Sequence, residues 1–156
     1  MIILALDLGT STGWALGRRI DGDLDVLDSG VVNLKGKSHG HRMLELEEFV
    51  RSSMYRPGGI DLIVYEDVRR HMGTDAAHLY GAFAAMVQAC CITFGIQCES
   101  VGVGTIKKRA TGKGNAKKNA MIEAAKAKWP DQAIIDDNHA DALWLLDCLV
   151  SLIEED

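Results

Sequence analysis

Asp7 ends an apolar run near the N-terminus, Glu66 ends another, and Asp137 and Asp141 lie close together near the C-terminus. Carboxylates at the ends of otherwise apolar strands are costly to place beside a core unless a cation or hydrogen bonds compensate them. Two of them brought together repel each other unless a cation stands between. Hard oxygen donors favour Mg²⁺ or Mn²⁺ over zinc, and two such ions about 4 Å apart can activate a water and stabilise the leaving oxygen in phosphodiester hydrolysis. The expectation is a divalent-metal site for one or two ions, built from Asp7, Glu66 and Asp141. The water would be activated by metal rather than by a side-chain base.

Taken singly, each acid has a plainer role. Asp7 before Gly9 and Thr10 suits a turn, Glu66 suits a surface ion pair with Arg69 or Arg70, and Asp137 and Asn138 suit helix capping. Asp141 resists such a reading, because it falls in the first turn of a strongly apolar helix. His139 is kept as a possible contact to the metals or the scissile phosphate. Its two-residue offset from Asp141 turns it about 200° away on an ideal helix, an objection that weakens at a frayed helix start. His39, His41, His71 and His78 read as solvated polar residues.

The net charge of −5 argues against a nucleic-acid partner, but the charge is unevenly spread. Between Lys107 and Lys128 there are eight Lys or Arg residues and one acid, Glu123, whereas Asp131 to Asp156 holds eight acids and no Lys or Arg. The segment KKRATGKGNAKK fits phosphate binding, with Gly112 and Gly114 letting the backbone approach and the lysines neutralising charge. A solvated helix face is its bland alternative. No GxxxxGK[ST] loop occurs, and no aromatic interleaving signals base stacking.

Three elements must hold these groups in place. Residues 2 to 8 read as a buried central strand delivering Asp7, residues 60 to 66 as a second, doubly covered strand delivering Glu66, and a helix from near Asn138 carries Asp141. Between them, GWALG at 13–17 and LDVLDSGVVNL at 24–34 read as strands joined by an Asp21-Gly22 turn. Ser38 to Tyr55 has helical spacing and stops at Pro57-Gly58-Gly59. A long helix runs from Thr74 or Asp75 to about Phe94, followed by a strand over 96–101, a turn or short helix over 103–110, and a helix from Asn115 to Trp129. The fold class is therefore α/β: a five-stranded mixed sheet, a β-meander followed by βα units, flanked by helices. Parallel pairing of the first and fourth strands would set Asp7 beside Glu66.

At 156 residues and 47% hydrophobic content the chain suits a single domain, 1–156. The apolar stretch Ala82 to Ile96 is interrupted by Gln88 and falls short of the ~20 residues a membrane span needs, and the N-terminus lacks the basic flank of a signal peptide. A soluble cytoplasmic protein with no membrane partner is expected. Cys90, Cys91, Cys98 and Cys148 show no CxxC spacing and read as buried free thiols.

The motifs LALDLGTSTGWA around Asp7, LIVYEDV around Glu66, GTDAAHLYGAFAA, TIKKRATGKGNAKK, and DDNHADALWLL around Asp141 run nearly the length of the chain. Together they resemble the RuvC family of Holliday-junction resolvases, in the RNase H-like nuclease superfamily, and especially its phage and prophage branch. The resemblance implies an RNase H-like fold and a homodimer that nicks a four-way DNA junction with Mg²⁺ or Mn²⁺ in the cytoplasm of a bacterial or phage-infected cell. It makes Asp7, Glu66 and Asp141 metal ligands, with Asn138 or Asp137 as catalytic or metal-binding companions. Where the cellular enzymes carry Asp or His, this chain has Asn138, flanked by Asp137 and His139, so the fourth ligand stays open among these three. The basic segment, Lys107, Lys108, Arg109, Lys113, Lys117 and Lys118, would contact DNA phosphates, together with Arg69 and Arg70. Arg69 stands where bacterial members often have a Phe, and an Arg there would stack on a base or contact phosphate.

Other readings compete. Asn138 is compatible with a branched-DNA binding module that does not cut. The DLGTSTG motif is shared with actin-like and sugar-kinase ATPases, which need a second lobe that 156 residues do not supply. A hydrolase of RNA hybrids would share the same metal site.

Overall fold

The computed structural model describes residues 1–69 and 73–155, so Arg70 and His71 lie outside the described residues. The elements run β1 (Ile2–Asp7), β2 (Ser11–Ile20), β3 (Asp23–Asn33), α1 (His39–Met54), β4 (Leu62–Asp67), α2 (Thr74–Phe94), β5 (Gln97–Gly102), α3 (Val103–Thr111), α4 (Lys118–Lys128) and α5 (Asp137–Glu155). The strands form one sheet in the order β3-β2-β1-β4-β5. The β1/β2 and β2/β3 pairs are antiparallel, and β1/β4 and β4/β5 are parallel. Asp21 and Gly22 both have positive φ, 51° and 94°, which is what a two-residue hairpin turn between twisted strands requires.

Strand alternation decides the layers. Leu4, Leu6, Ile63 and Tyr65 pack with Leu46, Val50, Phe83 and Val87, so this face is covered by α1 and α2. Ile3, Ala5, Leu62 and Val64 pack with Ile106, Met121, Leu143 and Leu146 beneath α3, α4 and α5. Because side chains alternate with a period of two, Asp7 continues the Ile3, Ala5 row and Glu66 the Leu62, Val64 row. Both acids therefore face α5. The parallel register ends at Leu6 opposite Tyr65, one step before Asp7 and Glu66, which places the two carboxylates beside each other at the strand ends.

Helix α5 is apolar around most of its circumference, with Ala140, Ala142, Leu143, Leu145 and Leu146 fully buried. Each such leucine contributes about 2 kcal/mol of burial, so this helix is a main anchor of the domain. It lies against β2, where Gly13, Ala15 and Gly17 present a row of small residues. A Cβ on Gly17 would stand 2.7 Å from Leu146 Cδ2, and one on Gly13 only 1.9 Å from the Asn138 carbonyl oxygen. The GWALG strand is thus a seat for α5 as well as a member of the meander.

Helix α4 runs alongside α5 in the same direction. Lys118 pairs with Asp137 at one end and Lys128 with Asp147 at the other, both pairs separated by 19 residues in sequence. Between them the Trp144 indole donates to the Met121 carbonyl at 3.1 Å. Asp147, buried, also accepts from Arg109 Nε at 2.8 Å, which ties α3 to the same helix.

Several boundaries differ from the sequence expectation. Residues 103–111 form the short helix that the sequence allowed, but α4 begins at Lys118 rather than Asn115. The reason is a turn after α3: Gly112 takes φ 77°, and the Thr111 hydroxyl donates to the Lys107 carbonyl at 3.0 Å and accepts from the Lys113 N–H at 3.3 Å. Gly114 packs on Gly104, where a Cβ would lie 3.2 Å from the carbonyl oxygen. These glycines serve the turn and the packing between its two ends. Helix α2 spans 21 residues and is long and apolar enough by length and composition to cross a membrane, which corrects the shorter Ala82 to Ile96 estimate. Here its Leu79, Phe83, Val87 and Cys91 are buried within the α1/α2 layer. The four cysteines are free thiols.

Candidate metal centre and nucleic-acid interface

Two strand ends and one helix start build the site. The loop after β1 is fixed by Thr12, fully buried, whose hydroxyl donates to the Gly9 carbonyl at 2.7 Å and so holds the turn behind Asp7. Gly13 is the cross-strand partner of Asp7 and also the point where the backbone of α5 touches the sheet, at Asn138. Close approach there brings the first turn of α5, and with it Asp141, over Asp7 and Glu66. Replacing Gly13 by Ala should therefore destabilise the protein by about 2–3 kcal/mol, the cost of overpacking, and lower nuclease activity together with it. Thermal melts and a nicking assay check both; an unchanged Tm would show that α5 does not depend on this seat.

The carboxylates act on one another. Burial raises the Asp7 carboxyl well above the usual aspartate range, and Glu66, Asp141 and Asp137 push it further. Burial likewise raises Glu66, opposed by its hydrogen bond with Asp7 and by the charge of Lys107. A proton held on Asp7 and donated to Glu66 accounts for both directions. Asp141 is pushed up to about 7, first by burial and then by Glu66 and Asp137, against the pull of Lys107 and Lys118. Its Oδ1 is buried without a hydrogen-bond partner.

Among the described residues no three Asp, Glu, His or Cys side chains close on one point as a finished metal cage. Mutual repulsion of like charges favours such an open spacing. The donor set nevertheless fits a hard divalent cation: the groups gathered are carboxylates, their charged forms are disfavoured by burial and by each other, and one buried oxygen is orphaned. Asp137 borders the group, engaged with Lys118. Asn138 gives its carbonyl to the Gly13 contact.

His139 is not brought to this group. Its ring is buried on the other side of the helix start, with Nε2 2.8 Å from Ser29 Oγ and Nδ1 accepting from the Ile135 N–H at 3.4 Å. That pattern puts the proton on Nε2, and Ser29 passes the chain on to Gln132 Oε1 at 2.7 Å. The ideal-helix offset therefore holds from the first turn, because Asp136 caps α5 by accepting the His139 N–H at 2.9 Å and so prevents fraying.

The basic residues divide. Lys107 stands within the electrostatic field of Glu66 and Asp141, and Lys118 within that of Asp137, Asp141 and Asp7. Lys108, Lys113 and Lys117 are exposed around the α3/α4 turn. Arg109 has its Nε bound to Asp147, six residues beyond Asp141 and so about 9 Å further along α5. Arg69 is largely exposed and paired with Asp67 at 2.9 Å. Arg70 lies outside the described residues. Two features escaped the sequence reading. The small-residue row Gly13-Ala15-Gly17 was visible as a pattern, whereas Asp147 as a buried anchor of two cations had no local signal.

No family model matches the chain. A curated relative, the crossover junction endodeoxyribonuclease RuvC of Nitratidesulfovibrio vulgaris, is 27% identical over 120 residues, covering 76% of this chain and 72% of the relative. The structure of Thermus thermophilus RuvC superposes with a TM-score of 0.80 at 18% identity, covering 99% of this chain and 97% of the other. The same enzyme in complex with Holliday junction substrate gives a TM-score of 0.80 at 18% identity, with 99% and 94% covered. The solved structures establish the fold, RNase H-like, over almost the whole chain. In sequence and in fold alike, this chain is RuvC-like.

Proposed function

We propose that this chain is a divalent-metal-dependent endonuclease that resolves four-way DNA junctions by paired phosphodiester cleavage, acting in the cytoplasm as a homodimer. The observation that carries this reading is the meeting of Asp7, Glu66 and Asp141, with an orphaned buried oxygen, at the ends of a parallel strand pair bordered by Lys107 and Lys118. The relative's name, crossover junction endodeoxyribonuclease, and the Holliday junction held by a structure of the same fold support the substrate.

Asp7, Glu66 and Asp141 would hold Mg²⁺ or Mn²⁺, two ions in all, with Asp137 or Asn138 completing the set. When bound, such ions supply Lewis-acid stabilisation of the phosphate and a water of lowered pKa. The chain's own residues prepare that chemistry. Burial keeps the carboxylates poorly solvated, so their oxygens are available to a cation. Lys107 and Lys118 offset negative charge where a phosphate must approach an acidic site. Lys108, Lys113 and Lys117 extend that cationic surface along the α3/α4 turn, where phosphates are held without sequence preference. Gly81 and Ala85 remain exposed on α2 and suit close approach by a second copy.

The test is cleavage of four-way, three-way, flap and linear DNA side by side with Mg²⁺ and with Mn²⁺. Symmetric nicking of the four-way junction at rates well above linear DNA is expected. Equal cutting of linear DNA would remove junction selectivity from the proposal. Junction binding without cutting under either metal would leave a binding module.

A further inference from the structure

We propose that Tyr80 is a positioning residue for the metal centre, holding from the opposite side of the sheet the backbone that aims Glu66. The inference rests on the metal-site reading above and deepens it. Tyr80 lies on α2, in the layer behind the sheet, whereas the Glu66 side chain faces α5. The Tyr80 hydroxyl donates to the Glu66 carbonyl at 2.8 Å and accepts from the Val68 N–H at 3.2 Å. A carbonyl at one residue and an N–H two residues on are the pair of groups a parallel strand presents to a neighbour. Pairing between β1 and β4 has stopped at Tyr65. One phenol thus takes the place of β1 beyond Tyr65, where Glu66 keeps its sheet pairing only on the other side, with Val101 of β5.

The Tyr80 ring is held by its surroundings, with Leu8, Leu79 and Phe83 lining the same small cavity beneath the strand ends. Removing only the oxygen leaves this packing in place and strips two backbone groups of their partner. Glu66 then loses its fixed direction, whereas Asp7 and Asp141 keep their own supports at Thr12 and Gly13.

The expected result for Tyr80→Phe is a weakening of Mn²⁺ binding by about tenfold, the lower end of the range for losing a group that orients a metal ligand. Binding is read by calorimetry on the DNA-free protein. Four-way junction binding in EDTA should stay as in wild type, and saturating Mn²⁺ should restore most of the cleavage rate. Phe83→Leu trims the neighbouring packing without touching the hydroxyl and serves as the comparison. Wild-type Mn²⁺ affinity in Tyr80→Phe overturns the inference, as does an equal loss in Phe83→Leu. Wild-type protein that binds no Mn²⁺ overturns the functional reading itself, and this inference with it.

Discussion

Asp7→Asn will abolish junction cleavage, lowering the rate by about three orders of magnitude, the scale for deleting a group that organises charge stabilisation, while leaving junction binding in place. The same substitution will raise the melting temperature of the metal-free protein. Asp7 is the most central of the carboxylates, feeling burial and the charges of Glu66, Asp141 and Asp137 together. An amide at this position keeps the size and a hydrogen bond to Glu66 but carries no charge. It therefore spares the empty site the cost of keeping a buried aspartate protonated at neutral pH, and it removes the anionic donor that a cation needs. The two effects have one cause, so a single variant tests both. Nicking assays at matched protein concentration and thermal melts in EDTA suffice. Retained cleavage with Mg²⁺ or Mn²⁺ would sink the assigned role of Asp7, and an unchanged or lower Tm would sink the account of that protonation cost.

The metal-free protein will also lose stability as pH rises through the neutral range, and divalent cations will reverse that trend. Asp141 has its folded-state pKa raised from 3.8 to about 7. Between those values the folded state binds more protons than the unfolded chain, so this group's contribution is fully present below about pH 4 and is lost as pH climbs through 7. A difference of about three pH units corresponds to about 4 kcal/mol, or roughly 10 °C in Tm for a domain of this size. Asp7 and Glu66 are raised as well and act in the same direction. Mn²⁺ favours the ionised carboxylates and will stabilise most at high pH. In Asp141→Asn the gap between Tm at pH 5 and at pH 7.5 should shrink relative to wild type in EDTA. Parallel melting curves for the two proteins would remove Asp141 as the source.

A stabilised but inactive Asp7→Asn or Asp141→Asn protein would identify the acids as functional in a way that loss of activity alone does not. Residues retained for packing lower stability when they are changed. Residues retained against a stability cost raise it, because what they oppose is relieved.

Much of this site was legible in the chain itself. The strand carrying Asp7 and the strand carrying Glu66 announce themselves as continuous apolar runs, and a period of two then dictates that each acid shares a face with the residue two before it. The helix carrying Asp141 follows from its apolar spacing, and the Asp-Gly turn fixes the first hairpin. These are local properties, set by backbone preferences and by the alternation of short segments.

What the tertiary structure alone decided concerns which partner each long or polar side chain takes. His139 is turned to Ser29, 110 residues away in sequence, and the Arg109 Nε to Asp147, 38 residues away. Gly13 is strand-like by pattern, yet its importance lies in admitting the backbone of α5 at Asn138, a contact between distant parts of the chain. Tyr80 meets Glu66 through the edge of a pairing that stops one residue earlier. Local sequence sets the elements and the faces on which the carboxylates stand. Their distances, protonation and supports arise only when packing brings separate elements to contact and removes the water that would otherwise screen one charge from the next.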